Sequence, residues 1–414
     1  MTEPDAQVEL PLLSSPRLDT LLVDANETIT LLLKALAANN DPIAIDAERA
    51  SGFRYGQRAY LIQIAVKDKG IYLFDPTPEY ATELLGELKS RINSTPWIIH
   101  AASQDLPCLN ELGLYPTAIF DTELGGRILG LPKVSLGTMT ADYLGLTLAK
   151  EHSAVDWSTR PLPAEWLNYA ALDVDVLFDL WDAIAEELQS KDKYEIALAE
   201  FDHLTIPQLK SEKLERWRSV TGIHEIKDQR QLTIVKFLWE AREHLAKEKD
   251  VAPGRLIPDG SIIAAVKANP LSRSELASLR SFTGRASRTY IDEWWNALHK
   301  GQTAINLVEL RPKATGLPNH RNWANKFPLA NARFLWTRKL LSELSTAISI
   351  PIENLIAPDT VKAICFEPPE LTEQSLTGFL DSRGVRKWQI ALLLGLLMKS
   401  LAETTPPVTE EATA

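Results

Sequence analysis

Asp46 and Glu48 stand two residues apart in the run IAIDAERASG, directly after the alternating pair Ile43 and Ile45. Side chains on a strand alternate, so the two isoleucines point one way and both carboxylates the other. Paired carboxylates repel, and a cation is the usual remedy; the plainer reading is a solvated strand end. Asp105, in HAASQDLPCLNELGL, follows the apolar WIIH run, and Ser103 is placed to cap a helix with a Leu106, Leu109 and Leu112 stripe. An aspartate in a first helical turn is also favoured by the helix dipole alone. In RPLPAEWLNYAALDVDVLFDLWDAI, Pro163 suits a first turn, and Tyr169 and Asp173, four apart, then share one helix face. That face continues through Val176, Leu177 and Leu180, an inward face where an unpaired carboxylate is costly and a neutral or metal-bound one is not. Asp175, Asp179 and Asp182 fall on another side, spaced as an exposed, solvated stripe, so periodicity selects Asp173 over Asp175. His100, ending WIIH, reads as a satisfied structural histidine.

These groups need elements to carry them. RAYLIQIAV (58–66) and GIYLF (70–74) read as early, hairpin-like strands, ATELLGELKSRI as a helix, and WIIH and TAIFD as short strands, with helices filling most of residues 121–189. Hairpin strands followed by strands alternating with helices predict a mixed sheet flanked by helices, an α/β architecture.

At 414 residues the chain is too long for one typical domain, and 45% hydrophobic with 24% charged residues is ordinary for a soluble globular protein. The longest apolar run, Ile390 to Met398, is far short of a membrane span, and the acidic start MTEPDAQVEL lacks signal-peptide features. A cytoplasmic protein without membrane partners is expected. The two cysteines, Cys108 and Cys365, have no C-x-x-C spacing, which argues against disulfides and thiolate zinc sites. The net charge of −11 hides an asymmetry: residues 1–200 carry 15 Lys+Arg against 31 Asp+Glu, and residues 201–414 carry 29 against 24. From Arg255 to Lys339 there are 14 basic and 5 acidic residues. A basic segment after an acidic domain suits one part that reacts and another that holds a polyanion, although basic helical domains also occur without such a ligand.

Asp46-x-Glu48 on a strand, Asp105 after a strand and Tyr169-x-x-x-Asp173 on a helix, in that order, resemble the DEDDy 3′-to-5′ exonucleases. DWSTRPLPAEWLNYAALDVDVL and YLIQIA resemble the ribonuclease D family in particular, with Glu165 standing where glutamine is expected. The resemblance implies a ribonuclease H-like α/β exonuclease domain followed by two all-α, HRDC-type (helicase-and-RNase-D C-terminal) domains. The second half also repeats itself: FLW recurs at Phe237 and Phe334 and LI at Leu256 and Leu355, each followed by a turn and another apolar helix. The expected organisation is a flexible N-terminus (1–20), the exonuclease domain (21–205), a linker (206–227), a first HRDC domain (228–302), a linker (303–327), a second, diverged copy (328–402) and a disordered tail (403–414). A protein-interaction module is the alternative reading of the helical tandem.

The same resemblance implies catalysis by Asp46, Glu48, Asp105, Tyr169 and Asp173, with the four carboxylates holding two divalent cations, Mg²⁺ or Mn²⁺. Two such ions about 3.5–4 Å apart can activate water, relieve phosphoryl charge and stabilise the leaving 3′ oxygen. Asp46 would bridge both ions, Glu48 and Asp173 would complete the water-activating site, and Asp105 would support the second ion. Tyr169 would orient or help deprotonate the water. The implied substrate is RNA with a free 3′ end, precursor tRNA above all, degraded to nucleoside 5′-monophosphates. Arg160, Arg255, Arg280, Arg285 and Arg288 are candidates for contacting it. A chain ending near residue 205 is expected to trim short oligonucleotides while losing affinity for long RNA. A DNA exonuclease of repair type would use the same carboxylates. A non-catalytic RNA-binding scaffold would more readily have lost one, and all five positions are filled.

Overall fold

The parity of one strand organises the catalytic half: Ile43, Ile45 and Ala47 face one side, and Ala44, Asp46 and Glu48 the other. The structure, a computed structural model, describes residues 10–149, 154–206, 215–311 and 316–402. Its first elements are β1 (Leu12–Leu13), β2 (Thr20–Val23), α1 (Asn26–Ala37), β3 (Ile43–Arg49), β4 (Ala59–Val66), β5 (Gly70–Phe74), α2 (Thr82–Asn93) and β6 (Trp97–Ile99). There follow α3 (Leu106–Glu111), β7 (Ile119–Asp121), α4 (Thr122–Leu129), α5 (Leu136–Leu144), β8 (Thr147–Leu148), α6 (Ala164–Asp175), α7 (Leu177–Ser190) and α8 (Tyr194–Leu204). Six strands form one sheet in the order β2-β5-β4-β3-β6-β7. In it β4 runs antiparallel to β3 and β5, and the remaining pairs are parallel. This is the expected mixed α/β sheet. Ile43, Ile45, Ile62 and Ile64 pack under α1, α2 and α3, while Ala44, Leu61 and Ala65 pack under α6 and α7. The carboxylates of β3 therefore look towards α6.

Three expectations change here. Leu12 and Leu13 of the supposed flexible N-terminus pair in parallel with Thr147 and Leu148; residues 1–9, like the tail 403–414, lie outside the described residues. Ser103 does not cap α3. It sits in a short 3-10 turn, Ala102–Gln104, and Asp105 itself takes the N-cap position, without a side-chain cap bond. The third change is Asp175, which is buried rather than solvated. Its carboxylate accepts from the Arg17 backbone N–H (3.1 Å) and Nε (2.7 Å), and its carbonyl accepts from Arg17 Nη2 (2.7 Å). That engaged carbonyl lies where the expected single helix divides into α6 and α7. Asp175→Asn, silent if the residue were solvated, is instead expected to destabilise the protein by about 1–3 kcal/mol, the scale for impairing a buried, charge-assisted bond, with turnover per folded molecule retained. Chemical denaturation beside an activity titration checks both halves, and an unchanged midpoint would refute the burial argument.

The helical half repeats one order of elements. A 21-residue helix, α9 (Gln229–Lys249), is followed by helices Pro253–Leu256, Asp259–Ala268, Arg273–Ser278 and Ile291–Thr303. The second copy runs Pro328–Ile348, again 21 residues, then Ile352–Leu355, Pro358–Phe366, Glu373–Asp381 and Lys387–Ala402. Trp217, Val220 and Ile226 are buried in the first helical core and Trp323 in the second, so these parts of the expected linkers are core residues. No described helix is long and apolar enough to cross a membrane.

Each long helix ends on a left-handed residue, Asp250 (φ 47°) and Ser349 (φ 52°), and each of these turns meets the catalytic unit. Asp250 accepts from Gly56 N (3.2 Å), and Ala252 N donates to the Phe53 carbonyl (2.9 Å) in the loop that follows β3. Ser349 O accepts from Lys193 Nζ (3.0 Å) and fills the space a Cβ would need at Gly130, which caps α4 at φ 85°. Ile350 and Leu355, from the second copy, are buried in the same core cluster as α4, α6 and α7. The catalytic unit therefore shares its core with the helical half.

Candidate active site

A polar side chain in the middle of an apolar strand marks the site from below: Gln63 of β4 is fully buried and pairs in register with Asp46 of β3. Among the described residues neither amide atom of Gln63 has a hydrogen-bond partner. Above that floor, α6 packs on the same sheet face and presents Tyr169 and Asp173 one turn apart. Asp105 arrives from the β6–α3 connection. There Ala101 adopts a left-handed turn (φ 59°), held by the buried Asp121 carboxylate, which accepts from Ala101 N (3.0 Å), Ala102 N (2.9 Å) and the first turn of α4. Asp121 thus braces the turn carrying Asp105, a role with no local sequence signal.

Asp46, Glu48, Asp105, Tyr169 and Asp173 line one pocket of ≈ 250 Å³, together with Arg49, His100, Gln104, Leu136 and Leu177. One carboxylate oxygen each from Asp46, Glu48 and Asp173 lies within 4.8 Å of the others. Asp105 adjoins this trio, near enough to Asp46 that the Asp46 charge acts on its carboxyl. Burial, then the neighbouring carboxylate charges, pushes Glu48 and Asp173 well above the usual carboxylate range. Asp105 is raised to about 9 by burial first and by the Asp46 charge next. Burial also raises Asp46, partly offset by the Ala47 N–H, the Asp105 carboxyl and Arg49. Tyr169 bonds to Asp173, and burial raises its phenol, so the hydroxyl keeps its proton at neutral pH. Burial lowers His100 to about 4; this neutral ring lies 2.9 Å from Thr122 Oγ1 and lines the pocket wall, as a structural histidine would.

The donor set is one of hard carboxylate oxygens without thiolate, crowded until its members resist ionising together. That arrangement fits divalent cations of the Mg²⁺ class.

The arginines divide. Arg160 spends its guanidinium on Asp75 (2.6 and 2.8 Å) and on the carbonyls of Trp157, Thr159 and Tyr60, which occupies all five of its N–H donors. Arg255 donates to the Gly52 carbonyl (2.6 Å) and lies 3.9 Å above the Phe53 ring. Arg160 is thus a structural tie, whereas Arg255 is exposed and among the described residues engages only its Nε, which leaves both of its Nη groups available. Arg280, Arg285 and Arg288 are exposed on the first helical unit.

A carboxylate-lined pocket on a mixed sheet followed by two helical modules is the arrangement that the resemblance to the 3′-to-5′ exonucleases implied, and comparison with known proteins places the chain in that class. Residues 22–189 match the 3′-5′ exonuclease family, 231–298 the HRDC domain and 316–401 the 3′-to-5′ exonuclease C-terminal domain. A crystal structure of a protein from Bifidobacterium adolescentis is 32% identical, with 95% of this chain and 100% of that one covered at a TM-score of 0.84. Ribonuclease D of Bartonella henselae is 28% identical over 291 residues, 69% of this chain and 70% of that protein. Ribonuclease D of Escherichia coli is 27% identical over 303 residues, 72% and 75% of the two chains. The crystal structure of the Escherichia coli enzyme, 23% identical, shares the fold over 88% of this chain and 99% of that one at a TM-score of 0.62. The chain belongs to the ribonuclease D family of 3′-to-5′ exoribonucleases. Exonucleases of this type generally use divalent metal ions.

Proposed function

We propose that the protein trims the 3′ ends of cytoplasmic precursor RNAs, tRNA precursors above all, releasing nucleoside 5′-monophosphates with two divalent cations, Mg²⁺ or Mn²⁺. The observation that carries this reading is the convergence of Asp46, Glu48 and Asp173 within 4.8 Å, with Asp105 lining the same pocket. Asp46, at the centre, would be shared by both ions; Glu48 and Asp173 would hold one, and Asp105 would help hold the other. Bound there, such ions supply charge neutralisation at the phosphoryl oxygens, a more acidic water and a stabilised leaving oxygen.

The chain's own groups do the rest. The half-buried, protonated Tyr169 fixes Asp173 through its hydroxyl and is placed to orient the attacking water, so we assign it orientation and not deprotonation. Leu136, half-buried at the pocket, offers an apolar wall on which a terminal nucleoside can rest. The exposed Arg255, Arg280, Arg285 and Arg288 are the remaining candidates for holding the RNA body.

Tyr169→Phe is expected to lower kcat by about 10–100-fold, the scale for losing a bond that orients a metal ligand, while RNA affinity changes far less. Single-turnover rates set beside equilibrium binding test this. Equal losses in both would reassign the hydroxyl to substrate binding. The activity itself is tested with full-length protein, an end-labelled tRNA precursor bearing a 3′ extension, matched DNA, and Mg²⁺, Mn²⁺ or chelator. Stepwise 3′ shortening of RNA to 5′-monophosphates, only with a divalent ion, is expected. Trimming of DNA at the same rate would favour the repair-type reading.

A further inference from the structure

Arg49 has no part in the roles above, yet the fold takes trouble to place it. Strict alternation would send its side chain to the Ile45 and Ala47 side of β3, away from Glu48. The register between β3 and β4 shifts between Glu48 and Arg49, and an irregularity of that kind re-aims a side chain. Arg49 consequently lines the pocket with Glu48, Asp105 and Tyr169. Nη1 donates to the Gln104 carbonyl (2.5 Å), and Nη2 lies 3.2 Å from Asp105 Oδ1. The side chain remains 26% exposed, so the guanidinium sits at the mouth, not in the floor. Every other ionisable group on the pocket wall is a carboxylate, the phenol of Tyr169 or the neutral His100, which makes Arg49 the one permanent cation among the described lining residues.

We propose that Arg49 is a substrate-binding residue: it takes a phosphate near the RNA 3′ end on the guanidinium N–H groups that Gln104 and Asp105 leave over. The inference rests on reading this pocket as the seat of 3′-end hydrolysis. A guanidinium offers five donors in a rigid planar fork, and two of its nitrogens are already anchored, so little freedom remains to be lost when a phosphate binds. Bonds from a guanidinium to phosphate oxygens are charge-assisted and frequently paired. A polyanion entering a pocket of four carboxylates also needs a cation at the entrance, and Arg49 occupies that place. The competing role is bracing alone, in which Arg49 merely holds Asp105 in position.

The two roles separate with RNA tetranucleotides carrying a single neutral methylphosphonate at the first, second or third linkage from the 3′ end. Binding is measured by anisotropy with the full-length protein in chelator, so that no turnover or metal occupancy enters. Trimming kinetics in Mn²⁺ run in parallel. In the wild-type protein, neutralising one particular linkage is expected to weaken binding about tenfold or more, the scale of one charge-assisted bond. Arg49→Met should show a similar loss on unmodified RNA and no further loss at that linkage, with the kinetic defect mainly in KM. Arg49→Lys keeps the charge without the fork and should fall between. If the methylphosphonate losses are identical in wild type and Arg49→Met at every linkage, Arg49 only braces Asp105 and the proposal is overturned. Should Arg49→Met fail to fold by circular dichroism, Arg49→Lys decides by the same criterion. A wild-type protein that does not shorten unmodified RNA from its 3′ end would remove the pocket reading itself, an outcome distinct from losing Arg49 alone.

Discussion

Asp46→Asn is expected to reduce RNA hydrolysis by about 10³-fold or more at saturating Mg²⁺ or Mn²⁺, at least the scale of removing one preorganised charge-stabilising group. Asp46 neighbours every other member of the cluster: its charge raises Glu48, Asp105 and Asp173 together. Loss of that one charge removes the ligand both ions would share. The same substitution should not unfold the protein. A carboxyl group whose pKa is raised on folding binds its proton more tightly in the folded than in the unfolded state. Its contribution to stability is complete below the ordinary value of 3.8 and is lost as the pH rises through the raised folded value, about 9 for Asp105. At pH 8 without metal, the wild-type cluster is therefore a source of repulsion. Asp46→Asn should raise the thermal midpoint there, and the gain should shrink towards pH 4. Adding Mn²⁺ should stabilise the wild type and leave the variant nearly unmoved. Near wild-type turnover in the variant, or a midpoint lowered at pH 8, would dismantle the assignment.

The second large effect concerns a chain ending at residue 205. Sequence composition alone suggested that such a fragment would still trim short oligonucleotides. The core argues otherwise. Ile350 is 1% and Leu355 0% exposed, both within the cluster that includes Leu129, Leu177 and Phe201. Burying each contributes about 1.5–3 kcal/mol, so these two alone account for roughly 3–6 kcal/mol. Glu200, itself buried, would also lose its paired contacts with Arg386 and its bond from Trp388 Nε1 (2.8 Å). On the other side, the loop after β3 would lose Asp250, Ala252 and Arg255, and with them the support closest to Glu48 and Arg49. The fragment is expected to melt far below the intact protein, to aggregate, and to lose trimming of short substrates as well as long ones. Leu355→Ala in the full-length chain, expected to cost about 2–5 kcal/mol, measures the same interface without truncation. A fragment that melts cooperatively within a few degrees of the whole chain and keeps its rate would show the catalytic unit to be self-sufficient.

Local pattern alone determined which side chains share a face. The period of two in IAIDAE places Asp46 and Glu48 together, and the four-residue interval from Tyr169 to Asp173 places both on one side of α6, because these are properties of a single strand or helix turn. The recurrence of FLW and LI likewise marked two copies of one helical order, since each copy repeats its own local code. What only the tertiary structure decided are relations between residues far apart in the chain. Asp175 looked solvated because its partner, Arg17, lies 158 positions away. Arg160 looked available because Asp75 and Tyr60, which take its donors, come from other strands and loops. The turn presenting Asp105 depends on Asp121 rather than the adjacent Ser103, and the aim of Arg49 depends on a register shift against β4. Periodicity is blind to all of these, because a hydrogen bond or a shared core is satisfied by proximity in space, and proximity is fixed only when the sheet, α6 and both helical modules have closed on one another.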